Sequence, residues 1–321
     1  MRTFFFLVLL VALGFGAYEW DVMNYAAPGP APRETTVLIK PGEGVGAISQ
    51  KLFGAGTIIN AQLYALDIRV RGEAGALKAG EYAIPAHASP ADITGILVSG
   101  KSIQHKITAA EGLTSDMIYN IVKNDAALEG DAGAVPAEGT LLPETYLFTH
   151  GTTREEILAR MQRDQQKFVE DHWDARAPNL PFATPEQAVI LASVVEKETS
   201  IPAERRHIAA VFINRLKLGM KLQSDPTIIY GITGGYPLGR RIRQSEIERA
   251  TPYNTYAITG LPATPICNPG KDAIAAVLSP AVSSDLYFVA DGTGGHVFSD
   301  NIAQHEKNVA KWRKIEEQRQ Q

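Results

Sequence analysis

Residues 191–200, LASVVEKETS, place two glutamates two positions apart at the end of an apolar run. In a helix, side chains two positions apart point to nearly opposite sides. The residues three, four and seven positions before Glu198 are valine, valine and leucine, so Glu198 continues a large apolar stripe. The equivalent neighbours of Glu196 form a smaller and more polar row. We therefore predict that Glu198 projects inward and that Glu196 lies on the other side.

The predicted setting of Glu198 favours proton transfer. A carboxyl on an apolar face is difficult to ionise, so its pKa should rise, which suits a general acid at neutral pH. Glycosidic bond cleavage is the chemistry that most often uses such a buried glutamic acid without a metal. The alternative is a structural role, in which Glu198 forms a buried ion pair with Arg205 or Arg215.

The elements around these glutamates are predicted to be helices and short strands. The glutamate helix begins with Thr184 as the cap, Pro185 at the first helical position and Gln187 completing a capping box. Residues 152–173 predict a long amphipathic helix before it. Two strand-like segments within residues 285–300 predict a hairpin after it.

The chain as a whole predicts an α+β fold with two folded parts. Residues 35–101 show a strand, two short helices each closed by glycine and a second strand, and then a helix capped by Ser89 with Pro90 at its first position. This β-α-α-β order predicts a small module. Residues 102–321 mix helices and short strands and are predicted to form the catalytic domain.

The N-terminus predicts attachment to a membrane. Arg2 is followed by an apolar stretch from Phe4 to Tyr18, near the short limit for spanning a hydrocarbon core of ~30 Å and within the range of a signal-peptide core. We predict an uncleaved transmembrane anchor at residues 1–20, in preference to a cleaved signal, and a Pro- and Ala-rich linker at residues 21–34. With Arg2 inside, the rest of the chain lies outside the cytoplasm.

Composition and motifs exclude several classes of function. A net charge of -4 and the lack of a basic stripe argue against nucleic acid as a partner. The single cysteine, Cys267, excludes an internal disulfide, and the histidines lack zinc-protease spacing. Residues 42–47, GEGVGA, fit a dinucleotide-binding pattern, but Pro41 breaks the junction with the strand. We expect no cofactor and no metal.

Three stretches together carry a family resemblance. ASVVEKETSIPAERRHIAAVFINRLKLGMKLQSDPTIIYG, at residues 192–231, follows EGTLLPETYLF at residues 138–148 and precedes TPYNTYAITGLPATPICNPG at residues 251–270. In this order they resemble the MltG (YceG-like) endolytic murein transglycosylase family. The resemblance covers nearly the whole chain and implies that the small module is LysM-like. GLPATPI departs from the family's usual G-L-P-P-G-P-I-like turn, which affects the shape of one loop.

The resemblance implies cleavage of the β-1,4 bond between N-acetylmuramic acid and N-acetylglucosamine within glycan strands, which limits strand elongation. The family's catalytic glutamate matches the second glutamate of VEKET, Glu198. One carboxyl then serves as acid toward the leaving oxygen and as base toward the muramic C6 hydroxyl. The product is a 1,6-anhydro sugar, so no second carboxylate is needed to activate water.

The chemistry of the residues in and around these motifs predicts a set of substrate contacts. A polar loop suits hydrogen bonds to N-acetyl and hydroxyl groups, although capping of the loop around Asp225 is an equal alternative. Two tyrosines and an amide suit stacking on sugar rings and fixing an acetamido group, with core packing of one tyrosine as the alternative. A glutamate and a tyrosine of PETY are predicted to line the same cleft. The predicted set is Gln223, Ser224, Asp225, Thr227, Tyr253, Asn254, Tyr256, Glu144 and Tyr146.

The expected partners follow from this reading. They are peptidoglycan glycan strands, the inner membrane through a single N-terminal helix, and peptidoglycan synthases. The catalytic domain is expected in the periplasm or an equivalent extracytoplasmic space. The alternative function is a LysM-type protein that binds peptidoglycan without cutting it.

Overall fold

The chain folds into two compact units. In a computed structural model that describes residues 2–319, one unit comprises Met1–His105 with Leu147–Gly151, and the other comprises Lys106–Tyr146 with Thr152–Gln321. The predicted module at residues 35–101 falls within the first unit, and the two glutamates of α7 (Pro185–Glu198) lie in the second.

The first unit has the predicted β-α-α-β order. Strands β1 and β2 pair antiparallel, with Thr35 opposite Ile84 and Ile39 opposite Gly80. Leu52, Ile68 and Tyr82 lie at the centre of its apolar core and are fully buried. The elements are α1 (Arg2–Ala26), β1 (Thr35–Ile39), α2 (Val45–Gly54), α3 (Ala61–Val70), β2 (Gly80–Ile84) and α4 (Pro90–Ser99).

The N-terminal segment differs from the prediction in two ways. Residues 21–26 of the predicted linker belong to α1, and Gly29 and Ala31 exchange backbone hydrogen bonds with His87 at 3.1 and 2.8 Å. Gly29 packs so closely on the backbone of Ala88 that a side chain has no room there. Within residues 2–319, no helix combines the length and the apolar character that crossing a membrane requires. The predicted anchor at residues 1–20 is thus not supported by the structure.

The second unit is mainly helical, with β5 paired to β6, and it contains most of β3 and the first half of β4, which pair with each other. Its elements follow in chain order: β3 (His105–Thr108), α5 (Ser115–Asn124), β4 (Thr145–Phe148), α6 (Arg154–Trp173), α7 (Pro185–Glu198), α8 (Pro202–Lys217), α9 (Asp225–Thr233), α10 (Gln244–Glu248), α11 (Lys271–Leu278), β5 (Tyr287–Ala290), β6 (His296–Ser299) and α12 (Ile302–Arg319).

The core of the second unit forms where α7, α8 and α11 pack together. Leu191 from α7, Phe212 from α8 and Ile274 from α11 belong to one buried cluster. The predicted hairpin is observed as β5 and β6, and its Phe288 and Phe298 pack against this cluster. The end of α7 and the hairpin are therefore held on the same rigid core.

Candidate active site

Glu198 is the last residue of α7. The helix begins as predicted, with Thr184 and Gln187 forming a capping box around Pro185. Its buried face continues to Val194 and Val195, which are fully buried. Glu198 follows this face, and the residue as a whole keeps partial exposure.

The surroundings of Glu198 make its carboxyl a weak acid. Burial raises its pKa to about 7, against an opposing effect of a hydrogen bond that the Ser224 hydroxyl donates to Oε1. Among charged neighbours, Asp225 raises the pKa further, whereas His296 and Arg215 lower it. A carboxyl with this pKa is partly protonated at neutral pH, as a general acid requires.

Ser224 is fixed by a network of buried hydroxyl groups. Its N–H donates to Thr255 Oγ1 at 3.0 Å, and its carbonyl accepts from Thr227 Oγ1 at 2.6 Å. Thr227 and Thr255 join through their hydroxyls at 2.9 Å, and both are fully buried. Ser224 therefore binds the Glu198 carboxyl directly, and Thr227 holds Ser224 in place from the protein interior. Sequence reasoning missed Thr255, although it lies between residues already selected in the YNTY motif.

At Gln223 the backbone turns toward this network of hydroxyl groups. Its backbone φ is 55°, in the left-handed region that costs a non-glycine residue about 1–2 kcal/mol. Its N–H donates to the carbonyl of Thr255 at 3.1 Å, which secures the turn. Its side chain is exposed beside the site, with Arg215 Nη1 3.5 Å from Oε1. Such strain commonly occurs where a functional group must be aimed.

Tyr256 and Asp225 also lie near Glu198. The Tyr256 hydroxyl donates to Asp225 Oδ1 at 2.7 Å, and the negative charges of Asp225 and Glu198 both act on this tyrosine. Burial is the main cause of the raised pKa of Tyr256. Asp225 is exposed, and Tyr256 is partly exposed.

Two predicted sugar contacts have structural roles instead. Asn254 is buried, and its Nδ2 donates to the backbone carbonyls of Glu246, Ile247 and Arg249 at 2.6 to 3.1 Å. Its amide is therefore engaged in holding a loop, which contradicts the predicted acetamido contact. Tyr253 packs its ring edge-to-face on Tyr230 and against the core, in agreement with the alternative of core packing.

The PETY residues do not join Glu198. Tyr146 is 1% exposed and donates its hydroxyl to the Leu142 carbonyl at 2.9 Å, so the prediction that it lines the cleft is wrong. Glu144 is exposed and pairs with Lys271 at 3.0 Å, which lowers its pKa. It lines a separate cavity of about 360 Å³ that also includes Asp272.

Glu196 is buried in an ion-pair network. Its side chain is 6% exposed and lies 3.3 Å from Arg205, which also pairs with Glu111 and Asp272. The N–H of Gly270 donates to its second carboxylate oxygen at 2.9 Å. Glu196, predicted to lie on the side of the helix away from the inward face, is buried as well, and it is Glu196, not Glu198, that forms the structural pair with Arg205.

Arg215, the other alternative partner of Glu198, binds mainly backbone. Its Nε donates to the Leu286 carbonyl at 2.6 Å and its Nη1 to the Leu222 carbonyl at 2.7 Å. It contributes positive charge to Glu198 from this position. The site thus combines one weakly acidic carboxyl with nearby positive charge, an arrangement suited to giving up a proton and taking it back.

Comparisons with known proteins agree on one family. The sequence model described as the YceG-like family matches residues 37–311. A Bacillus subtilis protein named endolytic murein transglycosylase is 36% identical over 178 residues, which is 55% of this chain and 48% of that protein. A Streptococcus pneumoniae protein of the same name is 30% identical, over 95% of this chain and 63% of that protein.

A solved structure shows a similar fold. The crystal structure of a YceG-like protein from Listeria monocytogenes matches with a TM-score of 0.54 and 26% identity, covering 86% of this chain and 98% of that chain. The chain spans about half to two thirds of the length of the two curated relatives.

Proposed function

This chain belongs to the YceG-like family, and on that premise we propose that it is an endolytic murein transglycosylase. The observation that carries the proposal is the Glu198 carboxyl, whose pKa burial raises to about 7 and which accepts a hydrogen bond from Ser224. The names of the relatives supply the substrate class, the glycan strands of murein.

Glu198 acts twice in the proposed reaction. As an acid it protonates the oxygen that leaves N-acetylmuramic acid when the β-1,4 bond to N-acetylglucosamine breaks. The resulting carboxylate then accepts the proton of the muramic C6 hydroxyl while that oxygen bonds to C1. The product has a 1,6-anhydro end, and the enzyme returns to its protonated state. A second carboxylate paired across the bond, as hydrolysis requires, has no part in this scheme.

Three of the predicted substrate contacts support this assignment. Gln223 and Asp225 flank Ser224, which binds Glu198, and Tyr256 binds Asp225, so a side-chain amide, a carboxylate and an aromatic ring lie near the acid. We propose that they bind hydroxyl and N-acetyl groups of the two sugars at the scissile bond. Ser224 and Thr227 position the acid from within the protein, as their burial indicates.

Three further assignments rest on the substrate and the sequence pattern. Murein lies outside the cytoplasm, so we propose that the chain acts there, with cleavage limiting strand elongation by synthases. Attachment through the apolar residues 4–18 is proposed from their composition alone. The first unit, proposed as LysM-like, would hold long glycan and take no part in the chemistry.

The chemistry of the new ends tests the proposed function. Purified glycan strands are incubated with the chain, and the products are separated and weighed by mass spectrometry. We expect internal cleavage with 1,6-anhydro ends, which weigh one water less than hydrolytic reducing ends. Reducing ends would indicate a hydrolase. Binding without cleavage would favour the alternative of a peptidoglycan-binding protein.

A further inference from the structure

The hydroxyl groups around Ser224 can be hydrogen-bonded in only one direction. A serine or threonine hydroxyl donates one hydrogen and accepts up to two. The Thr227 hydroxyl lies 2.6 Å from the Ser224 carbonyl oxygen, which can only accept, so Thr227 donates its hydrogen there. In the 2.9 Å contact between the Thr227 and Thr255 hydroxyls, Thr255 is therefore the donor. The geometry thus fixes where each hydroxyl hydrogen of this network points.

Thr255 binds the backbone of the Ser224 loop at several points. Its Oγ1 accepts the N–H of Ser224 at 3.0 Å, and its carbonyl accepts the N–H of Gln223 at 3.1 Å. Its own N–H donates to Thr227 Oγ1 at 3.3 Å, which fills the second acceptor position of that hydroxyl. Thr255 is 0% exposed and Ser224 is 1% exposed, so a lost partner would leave a buried polar group unsatisfied. Thr255 therefore sets the position of Ser224.

The neighbours of Thr255 hold it beside this loop. On one side, the buried Asn254 donates its Nδ2 to backbone carbonyls, among them that of Arg249 at 2.6 Å. On the other side, the Tyr256 hydroxyl donates to Asp225 Oδ1 at 2.7 Å. Residues 254–256 are thus fixed at both ends, and Thr255 is held between them.

The Ser224 hydroxyl distinguishes the two carboxyl oxygens of Glu198. It donates to Oε1. In a protonated carboxyl, one oxygen carries the hydrogen and the other, the carbonyl oxygen, is the better acceptor. Oε1 is accordingly the carbonyl oxygen, and the hydrogen belongs on Oε2. Among the residues that the structure describes, none forms a hydrogen bond with Oε2, so its hydrogen is not engaged by another protein group.

We propose that Thr255 is a positioning residue that holds the Ser224 hydroxyl on Oε1 of Glu198 and thereby keeps the transferable proton on Oε2. The inference rests on the proposed function. Oε2 gives its proton to the oxygen that leaves C1 of the muramic sugar, while Oε1 keeps its hydrogen bond from Ser224. Oε2 of the resulting carboxylate then takes the proton of the C6 hydroxyl as the C1–O6 bond forms. One oxygen thus serves both proton transfers.

A titration of Glu198 tests this role without substrate. The hydrogen bond from Ser224 favours the carboxylate, so weakening it should raise the pKa of Glu198. Thr255→Val keeps the shape of the side chain but offers Ser224 no acceptor. In carbon-13 NMR of the full chain with labelled glutamate, we expect the pKa of Glu198 to rise in Thr255→Val and, by about one unit, in Ser224→Ala. Thr255→Ser keeps the hydroxyl and should titrate like wild type, and Glu198→Gln identifies the signal.

A double variant separates positioning from other effects. If Thr255 acts through the Ser224 hydroxyl, Ser224→Ala combined with Thr255→Val should titrate like Ser224→Ala alone. Additive shifts would mean that Thr255 reaches Glu198 by another route and would overturn the proposal. Thr233→Val is the matched control, because the Thr233 hydroxyl also binds backbone carbonyls, at 2.6 and 2.9 Å, at the other end of α9. It should leave the titration unchanged even if stability falls.

The rate of murein cleavage gives the second readout. In Thr255→Val we expect kcat to fall by about tenfold to a hundredfold, since a small displacement of the acid is costly to the rate. KM should stay within about twofold of wild type, because Thr255 is buried and contacts no substrate. The loss of cleavage at high pH should move to higher pH in Thr255→Val and not in Thr233→Val. Thr255→Ser should recover most of the rate.

The outcomes separate the inference from the function on which it rests. An unchanged Glu198 titration in folded Thr255→Val overturns the role of Thr255, even if cleavage is slower. Neutron diffraction of the deuterated chain at pH 5 should place deuterium on Oε2, and deuterium on Oε1 would contradict the proposal. If wild type cuts no murein, the proposed function fails, and the titration still decides whether Thr255 acts on Glu198. If Thr255→Val does not fold, Thr255→Cys, whose thiol is a weak acceptor, takes its place.

Discussion

The two glutamates that end α7 are both enclosed, but their partners differ. Glu196 is neutralised by Arg205 and accepts a backbone N–H from Gly270. Glu198 accepts one hydroxyl hydrogen bond from Ser224, and the nearby Arg215 binds backbone carbonyls instead. Burial raises the pKa of both carboxyls, so it is the pairing that separates them: Glu196 is paired with an arginine, whereas Glu198 has no such partner and is available for proton transfer. The difference in partners supports the proposal that Glu198 carries the chemistry.

The raised pKa of Glu198 predicts a pH-dependent cost to stability. Because the folded chain holds this proton more tightly than the unfolded chain, stability falls as pH rises from about 4.5 to about 7 and stays lower above that. Glu198→Gln removes the ionisation. The variant should match wild type at pH 4 and exceed it at pH 8 by up to about 3 kcal/mol in the free energy of unfolding.

Urea unfolding of both proteins at the two pH values measures this difference. Glu186→Gln, an exposed substitution on the same helix, is the control and should track wild type at both pH values. Equal stability of Glu198→Gln and wild type at pH 8 would show that ionisation of the Glu198 carboxyl does not lower the free energy of unfolding, which contradicts the prediction.

At this scale the sequence predicted some residues and not others. The apolar stripe before Glu198 is a local helical pattern, so its inward direction could be predicted. The roles of Asn254 and Tyr146 depend on which backbone carbonyls the fold brings near them, as at Leu142, and spacing along the chain does not carry that information. Thr255 could not be predicted, because the presence of a threonine in the YNTY stretch does not by itself indicate that its hydroxyl binds Ser224.

Elements were easier to predict than their contacts. The Ser89 cap of α4, the capping box of α7 and the β5–β6 hairpin follow from local rules and are observed. The ion-pair network of Arg205 joins α7, α8 and the start of α11 and follows from no local rule. Glu196 was consequently placed on a polar face when its carboxylate is buried between elements.

This network predicts the effect of Glu196→Gln. The substitution removes the most buried of three carboxylates around Arg205, while Glu111 and Asp272 remain. We expect a loss of about 2–3 kcal/mol in stability, less than for breaking an isolated buried pair. Cleavage per folded molecule should be retained.

Thermal and urea unfolding measure the free energy of unfolding of Glu196→Gln and wild type, and the cleavage rate is normalised to the folded fraction. Glu186→Gln should change stability by only a few tenths of a kcal/mol. If Glu196→Gln is as stable as wild type, the network contributes nothing measurable.

For the molecule as a whole, the first unit extends toward the N-terminus beyond the predicted module. Tyr25 packs against its core and stacks under Arg71 at 3.8 Å, and Gly29 and Ala31 pair with His87. The proline and alanine content of residues 21–34 predicts a linker. Composition describes how a segment behaves alone and carries no information on what it packs against, so these contacts could not be predicted.

Two truncated chains test this extension. A chain that begins at Asn24 keeps these contacts, whereas one that begins at Arg33 loses them. We expect the shorter chain to be less stable by about 1–2 kcal/mol, the contribution of two backbone hydrogen bonds with some apolar burial. Hydrogen exchange at His87 should rise in the shorter chain. Identical unfolding curves and equal exchange would mean that residues 24–32 contribute nothing to the stability of the unit.

The central claim is that one carboxyl, Glu198, carries both proton transfers. The most direct measurement is the rate of 1,6-anhydro end formation by wild type, Glu198→Gln and Glu196→Gln at pH 6, with circular dichroism to confirm folding. Glu198→Gln keeps the shape but has no proton to transfer, and the loss should reach or exceed ~10⁴-fold because the group acts in both directions. Glu196→Gln should cleave at a rate near wild type per folded molecule. A folded Glu198→Gln chain that still forms anhydro ends at more than about one hundredth of the wild-type rate would contradict the account.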